Sequence, residues 1–307
     1  MVWRQFMYNW LRRETGRHVA DAVSAAKADV QRKASAEDPA SVTPRLCHVG
    51  IVVSDKTERG SIVDRLSGVV ETQGNGFGLY EGQWRSRRIA VVEVGGGLEC
   101  IAAATRALLA GHTPEWVVAA GFAGALVPAL QRGDLVVADS VGDESGRRLK
   151  IDIQTGDDPD NQKYTIGGIV SVSRQPTNPQ AKRALAAHTH AEAVDTSSLA
   201  VAEVCRESRV LCLVVRVVRD ALEDSLPDEM KHMHSQKSLA GRLGAATGAL
   251  MKRPSTAKDW WNIKQESLRC ADHLALFLEE IVQQLIPSSR LEIPTRETSE
   301  PPDSKGS

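Results

Sequence analysis

The stretch that decides the fold is RIAVVEVGGGLECIAAATRALLAGHTPEWVVAAGFAGAL, residues 88–126. The apolar run Ile89-Ala90-Val91-Val92-Glu93-Val94 enters three glycines, Gly95-Gly96-Gly97. A helix-forming segment follows from Leu98 to Ala110. The stretch closes on Trp116-Val117-Val118-Ala119-Ala120 and a second glycine-bearing turn, Gly121-Phe122-Ala123-Gly124. Strand, glycine loop, helix and strand in this order read as part of a layered α/β domain.

Working outward, the same alternation continues. His48 to Val53 is a short apolar strand, and Ser61 to Leu66 reads as helical. Downstream, Leu135 to Ala138 follows the turn Arg132-Gly133-Asp134, and Ile169 to Val172 reads as a strand. Lys182 to Ala187 and Ser198 to Glu207 read as helices, and Val210 to Val218 is a nearly continuous apolar strand that stops at Arg219-Asp220. Uninterrupted Val/Leu runs are what strands covered on both faces require. Trp260 to Leu285 is a long amphipathic helix. The expected organisation is an N-terminal helical extension and linker at 1–44, an α/β domain at 45–287 and a disordered Pro-, Ser- and Glu-rich tail at 288–307.

Composition narrows the function classes. In 307 residues, 38 Lys+Arg stand against 39 Asp+Glu, which argues against a nucleic-acid binder. No apolar run is long enough to cross a membrane. The five cysteines are scattered without a CxxC and read as small buried hydrophobes of a reducing, cytoplasmic compartment. Met230, His232, Met233 and His234, in a polar stretch without cysteine, do not make a metal site. Arg87, Arg88 and Arg132 read as solvated charges. Val2, Trp3, Phe6, Met7, Trp10 and Leu11 recur at helical spacing beside Arg4, Arg12 and Arg13, a stripe that suits packing on the body or peripheral contact with a membrane surface.

Two glycine-rich strand ends are the candidate ligand edge, because bare backbone there admits close approach and a helix N-terminus favours anions. The first is Gly95 to Gly97. It lacks the third glycine of a dinucleotide fingerprint, since position 100 is Cys100, and no P-loop Lys-Ser/Thr follows. The second is Gly121 to Gly124. With Ala193-Val194-Asp195-Thr196-Ser197-Ser198 and Arg216-Val217-Val218-Arg219-Asp220 further on, these segments resemble, in order, the purine nucleoside phosphorylase and nucleosidase family, over about residues 46–226. Within it the sequence resembles especially the 5′-methylthioadenosine/S-adenosylhomocysteine nucleosidases. Ser171 to Gln175 and Lys182 to Leu185 look most like the hopanoid-associated phosphorylase branch, implicated in removing adenine from an adenosyl-lipid.

The resemblance implies a three-layer nucleoside phosphorylase-like domain with a central mixed sheet, no cofactor or metal, a homodimer, and cleavage of a purine nucleoside at its N-glycosidic bond. Asp220 falls where the family places the acid that protonates the leaving base, and Glu58 where hydrolytic members hold and activate water. Gly95, Gly97, Gly124, Gln175, Thr196 and Ser197 fall on binding positions. Taken alone, each carboxylate has a plainer role, a capping Asp and a solvated Glu. Three departures stand out. Thr196-Ser197 replaces a Met-Glu whose acid binds the ribose hydroxyls. Arg174 replaces an aromatic that stacks on the base. Arg219 replaces a serine, although strand alternation would turn it away from Asp220. Phosphorylases place an arginine before the Gly121-type glycine; here Ala119-Ala120 precede it, which favours water as nucleophile. The alternatives are a phosphorylase, a nucleoside-binding protein without turnover, and a membrane-peripheral scaffold.

Overall fold

The computed structural model describes residues 47–74, 76–152, 164–225 and 255–286, with no side-chain description for 255–262. The expectations for residues 1–44, for Met230, His232, Met233 and His234, and for residues 288–307 lie outside the described residues.

The strands are β1 (Val49–Val53), β2 (Ser67–Gln73), β3 (Phe77–Trp84), β4 (Arg87–Val94), β5 (Trp116–Ala125), β6 (Leu135–Gly142), β7 (Arg148–Lys150), β8 (Tyr164–Ser171), β9 (Ala193–Asp195) and β10 (Leu211–Asp220). The helices are α1 (Lys56–Val63), α2 (Leu98–His112), α3 (Pro179–Thr189), α4 (Ser198–Ser208) and α5 (Ser255–Leu285). Among the described residues, all strands join one mixed sheet, ordered β10-β6-β8-β9-β5-β1-β4-β3-β2, with β7 on β6. A further pairing of β10 with β5 closes β5, β10, β6, β8 and β9 into a ring.

The central strands β4, β1, β5 and β10 run parallel. Alternate side chains of these strands feed two cores on opposite faces. Val52, Val92, Ala119 and Val214 pack under α2 and α4 with Ile101, Leu108, Val201 and Cys205. Ile51, Val91, Val118 and Val215 pack under α1 and α5 with Ile62, Leu274, Leu278 and Val282. This is the expected three-layer α/β architecture, and the parallel strands are buried on both faces as their Val-rich runs require. Of the cysteines, Cys47, Cys205 and Cys270 are buried, Cys212 is half-buried and Cys100 is exposed.

Several elements depart from the pattern read in the sequence. β5 does not stop at Gly121 but runs on to Ala125. The hairpin β2–β3 and the short β7 and β9 carry no strong periodic signal. Arg87 is not a solvated charge. It is 5% exposed and donates from Nε to the Ile286 carbonyl at 2.7 Å and from Nη2 to Gln283 O at 3.4 Å. It thereby satisfies carbonyls left open at the end of α5 and ties that helix to β4. Arg132 is likewise engaged, pairing with Asp224 at 2.7 Å and with Glu266. Among the described residues no helix is long and apolar enough to cross a membrane.

Arg87→Met keeps the apolar stem and removes both bonds to α5. It is expected to lower unfolding free energy by about 1–3 kcal/mol, read from the urea midpoint; an unchanged midpoint contradicts this role.

Candidate active site

Glu58 is fixed by the start of α1. Asp55 is the N-cap, its side chain accepting from Thr57 N at 2.7 Å, and Glu58 reaches back as the third residue of a capping box. Its Oε2 accepts from Asp55 N at 2.9 Å and Ser54 N at 3.1 Å. Its Oε1 crosses to β5 and accepts from Phe122 N at 2.6 Å. The residue is 2% exposed, so it is not a solvated surface carboxylate. Burial pushes its pKa up to about 7, against the opposing pull of the Arg216 guanidinium and the backbone donors. A carboxyl poised there exchanges a proton near neutral pH, as a general base must.

Gly121 is what lets Glu58 approach. It has φ +151°, and a β-carbon at this position would lie 2.6 Å from Glu58 Oε1 and 2.5 Å from Arg216 Nη1. Carboxylate and guanidinium therefore face one another over the bare α-carbon of one glycine. Arg216, 1% exposed, is held from behind. Its Nη2 pairs with Asp195 Oδ2 at 2.7 Å and donates to Ser197 Oγ at 2.8 Å and Ser198 Oγ at 2.9 Å. Asp195 also accepts from Ser171 Oγ at 2.5 Å and Ser198 N at 2.9 Å. A buried charge persists only when paired and hydrogen-bonded in this way.

Asp220 stands three residues further along β5, at Gly124. A β-carbon there would meet Asp220 Oδ2 at 2.8 Å. Lys182, reaching from α3, is 1% exposed and pairs with the same Oδ2 at 2.7 Å. It also donates to Ala221 O at 2.6 Å and Asp224 O at 3.3 Å. Asp220 is thus the acceptor of a buried ion pair rather than a simple cap. The expected separation of Arg219 from Asp220 by strand alternation does not hold. The β5–β10 register shifts between Val218 and Asp220, and this bulge leaves Arg219 Nε 3.9 Å from Asp220 Oδ1. The Arg219 guanidinium lies 5.2 Å from the Phe122 ring centroid, and its Nη2 is 3.5 Å from Gln175 Oε1.

The sequence-predicted residues therefore fall into three places. Glu58 meets β5 at Gly121, Asp220 meets it at Gly124, and Gln175 contacts Arg219. Ser197 is buried with its oxygen committed to Arg216, and Thr196 is half-buried beside it. Gly95 and Gly97 are exposed. Gly97 caps α2. Gly95 lines a polar cleft of about 420 Å³ with Lys56, Arg59, Glu71, Tyr80 and Glu93. Three residues were missed. Arg216 and Asp195 announce themselves as single charges in the apolar runs Val210–Val218 and Ala193–Val194. Lys182 carries no such mark, because its partners come from β10 and the loop after it.

Residues 48–164 match the sequence model of the Phosphorylase superfamily. Among solved structures, the chain is similar to the 5′-methylthioadenosine/S-adenosylhomocysteine nucleosidase of Neisseria meningitidis bound to methylthio-immucillin-A. Identity is 17% and the TM-score 0.59, covering 78% of this chain and 100% of that one. Futalosine hydrolase of Helicobacter pylori is similar at 17% identity and TM-score 0.57, covering 79% and 100%. The Campylobacter jejuni nucleosidase aligns at 14% and 0.57, covering 78% and 99%. The family model takes in the two glycine segments read from the sequence, and the likeness to these structures shows a shared fold.

Two outcomes follow from the geometry. Gly121→Ala is expected to destabilise by about 1–3 kcal/mol, from an unfavourable φ and two close contacts; a thermal or urea transition identical to the wild type contradicts the packing. Glu58 binds its proton in the folded state up to about pH 7, but in the unfolded chain only up to about 4.5. Its contribution is therefore complete below pH 4.5, is lost as pH rises to 7 and is flat above, a loss of roughly 3 kcal/mol. Urea titrations at pH 5 and pH 8 should show this decline in the wild type and not in Glu58→Gln; parallel profiles contradict it.

Proposed function

Taking residues 48–164 as a phosphorylase-superfamily segment, we propose that the chain is an N-glycosidase that hydrolyses the bond between a purine base and its ribose. The observation that carries this reading is the pair of carboxyl groups at the end of β5. Glu58 sits at Gly121 with a pKa raised to about 7, and Asp220 sits at Gly124 against Lys182. Their environments differ: Glu58 is buried among backbone N–H donors, and Asp220 shares an ion pair with Lys182.

In this reading Glu58, as carboxylate, takes a proton from water while the water oxygen bonds to the anomeric carbon. The glycosidic C–N bond breaks, and its electron pair leaves on the base. Asp220, as the acid of the pair, passes a proton taken up from solvent to N7 of that base. Both carboxyl groups then return to their starting states by exchange with solvent. Water rather than phosphate is the nucleophile, supported by Ala119-Ala120, which place no cation ahead of Gly121. The substrates favoured by resemblance are methylthioadenosine, S-adenosylhomocysteine or an adenosyl-lipid. A homodimer in the cytoplasm, with residues 1–44 available for peripheral membrane contact, belongs to the same reading.

A second reading has its own support. Lys182 holds Asp220 in an ion pair, and Ser197 spends its oxygen on Arg216, which leaves no carboxylate at position 197 for the ribose hydroxyls. Such a site suits a protein that binds a nucleoside without cleaving it.

Chromatographic detection of free base from adenosine, inosine, methylthioadenosine and S-adenosylhomocysteine separates the two. Hydrolysis predicts base release that rises with pH through about 7, as Glu58 ionises. Glu58→Gln and Asp220→Asn should each lower kcat by at least about a hundredfold. Binding by calorimetry without release of base selects the second reading.

A further inference from the structure

The atoms around Asp220 that would read the edge of a purine are hydrogen-bond donors. Lys182 is an ammonium and Arg219 a guanidinium, and neither accepts a hydrogen bond. The acceptors beside them are taken. Asp220 Oδ2 is held by Lys182 Nζ at 2.7 Å. The carbonyls of Ala221 and Asp224 are taken by the same nitrogen at 2.6 and 3.3 Å. Gln175 turns Oε1 towards Arg219 Nη2 at 3.5 Å, which leaves its NH₂ as the outward group. Asp224 Oδ2 accepts from Ala221 N at 2.8 Å and from Arg132 Nη2 at 2.7 Å.

On a purine, N7 and the 6-substituent are neighbours on one edge. A base whose N7 receives the proton of Asp220 Oδ1 therefore presents its 6-substituent next to that oxygen, and Arg219 Nε lies 3.9 Å from it. Two features of the fold direct this guanidinium. The Val218–Asp220 bulge sets its origin, and the Phe122 ring supports its plane at 5.2 Å. A 6-amino group in that position brings two more donors against a donor. A 6-oxo group brings the acceptor that Arg219 lacks. The Asp220 oxygen that donates to N7 is a weakened acceptor, and Oδ2 already accepts from Lys182, so Asp220 compensates a 6-amino group poorly. Arginine donating to O6 is an established contact on this purine edge.

We infer that Arg219 is a specificity-determining residue and that the site prefers 6-oxopurine nucleosides to 6-aminopurine nucleosides. The inference rests on the assignment of Asp220 to N7 in the proposed function, and it narrows the substrate class away from the adenine nucleosides that resemblance suggests. Lys182 contributes by competing for Asp220 Oδ2, the carboxyl oxygen that does not face N7 in this assignment.

The test uses the full-length chain and matched pairs: inosine against adenosine, and 5′-methylthioinosine against 5′-methylthioadenosine. Base release is followed for each, with parallel calorimetry on hypoxanthine and adenine. The wild type is expected to favour the 6-oxo member of each pair about tenfold to a hundredfold in kcat/KM. Arg219→Ser should bring that ratio towards one, and Arg219→Lys should keep part of it. A merely structural role for Arg219 would lower both members alike and leave the ratio intact, which overturns the assignment. Equal turnover of the pair, or preference for adenosine, overturns the specificity while leaving hydrolysis standing. Tighter binding of hypoxanthine without release of base from any nucleoside upholds the specificity and removes the hydrolytic reading. Adenine binding more tightly than hypoxanthine without turnover, or no binding of either base, overturns both.

Discussion

A guanidinium inside a sheet demands a partner, and the answer to Arg216 organises this molecule. Its Nη2 meets Asp195 at 2.7 Å, with both side chains 1% exposed. Two serines at the start of α4 and one on β8 complete the shell around the pair. That network ties β8, β9, β10 and α4 at a single point, at the carboxyl end of the sheet. Removing either partner would strand a buried charge, a cost of about 3–5 kcal/mol. Because the pair is anchored from behind, Arg216 Nη1 is presented in a fixed place across Gly121, and Glu58 acquires a cationic neighbour it could not otherwise have.

The site is then a matter of two close approaches to one strand. Gly121 admits Glu58 and Arg216, and Gly124 admits Asp220. A side chain at either position would push a charged group off β5. The two carboxyl groups are held by different means. Glu58 is buried and supported by three backbone N–H groups. Asp220 is 17% exposed and supported by an ammonium. The structure thus gives two acids of the same chemistry distinct working conditions within one short length of strand.

Much of the fold was legible in the sequence because buried parallel strands write themselves as unbroken Val, Ile and Ala runs. β1, β4, β5 and β10 were visible that way, and Leu98 to Ala110 was visible as their crossover helix. The hairpin β2–β3 was not, because β2 is exposed along its whole length and shows no apolar alternation. The two carboxylates came from family order rather than from pattern. Their surroundings came from neither. Lys182 reaches Asp220 from a helix far along the chain, and the bulge at Val218–Asp220 cancels the alternation that would have placed Arg219 on the other face. Long-range ion pairs and one-residue register shifts leave little trace in local periodicity, so the positions that tune a site are the ones a sequence hides.

Incubation with inosine in water enriched in oxygen-18, without phosphate, most directly tests the claim that Glu58 and Asp220 act on one glycosidic bond. The account predicts free hypoxanthine together with ribose carrying one heavy oxygen at its anomeric carbon. Label-free sugar, sugar phosphate formed only when phosphate is added, or intact nucleoside in the presence of folded protein would contradict it.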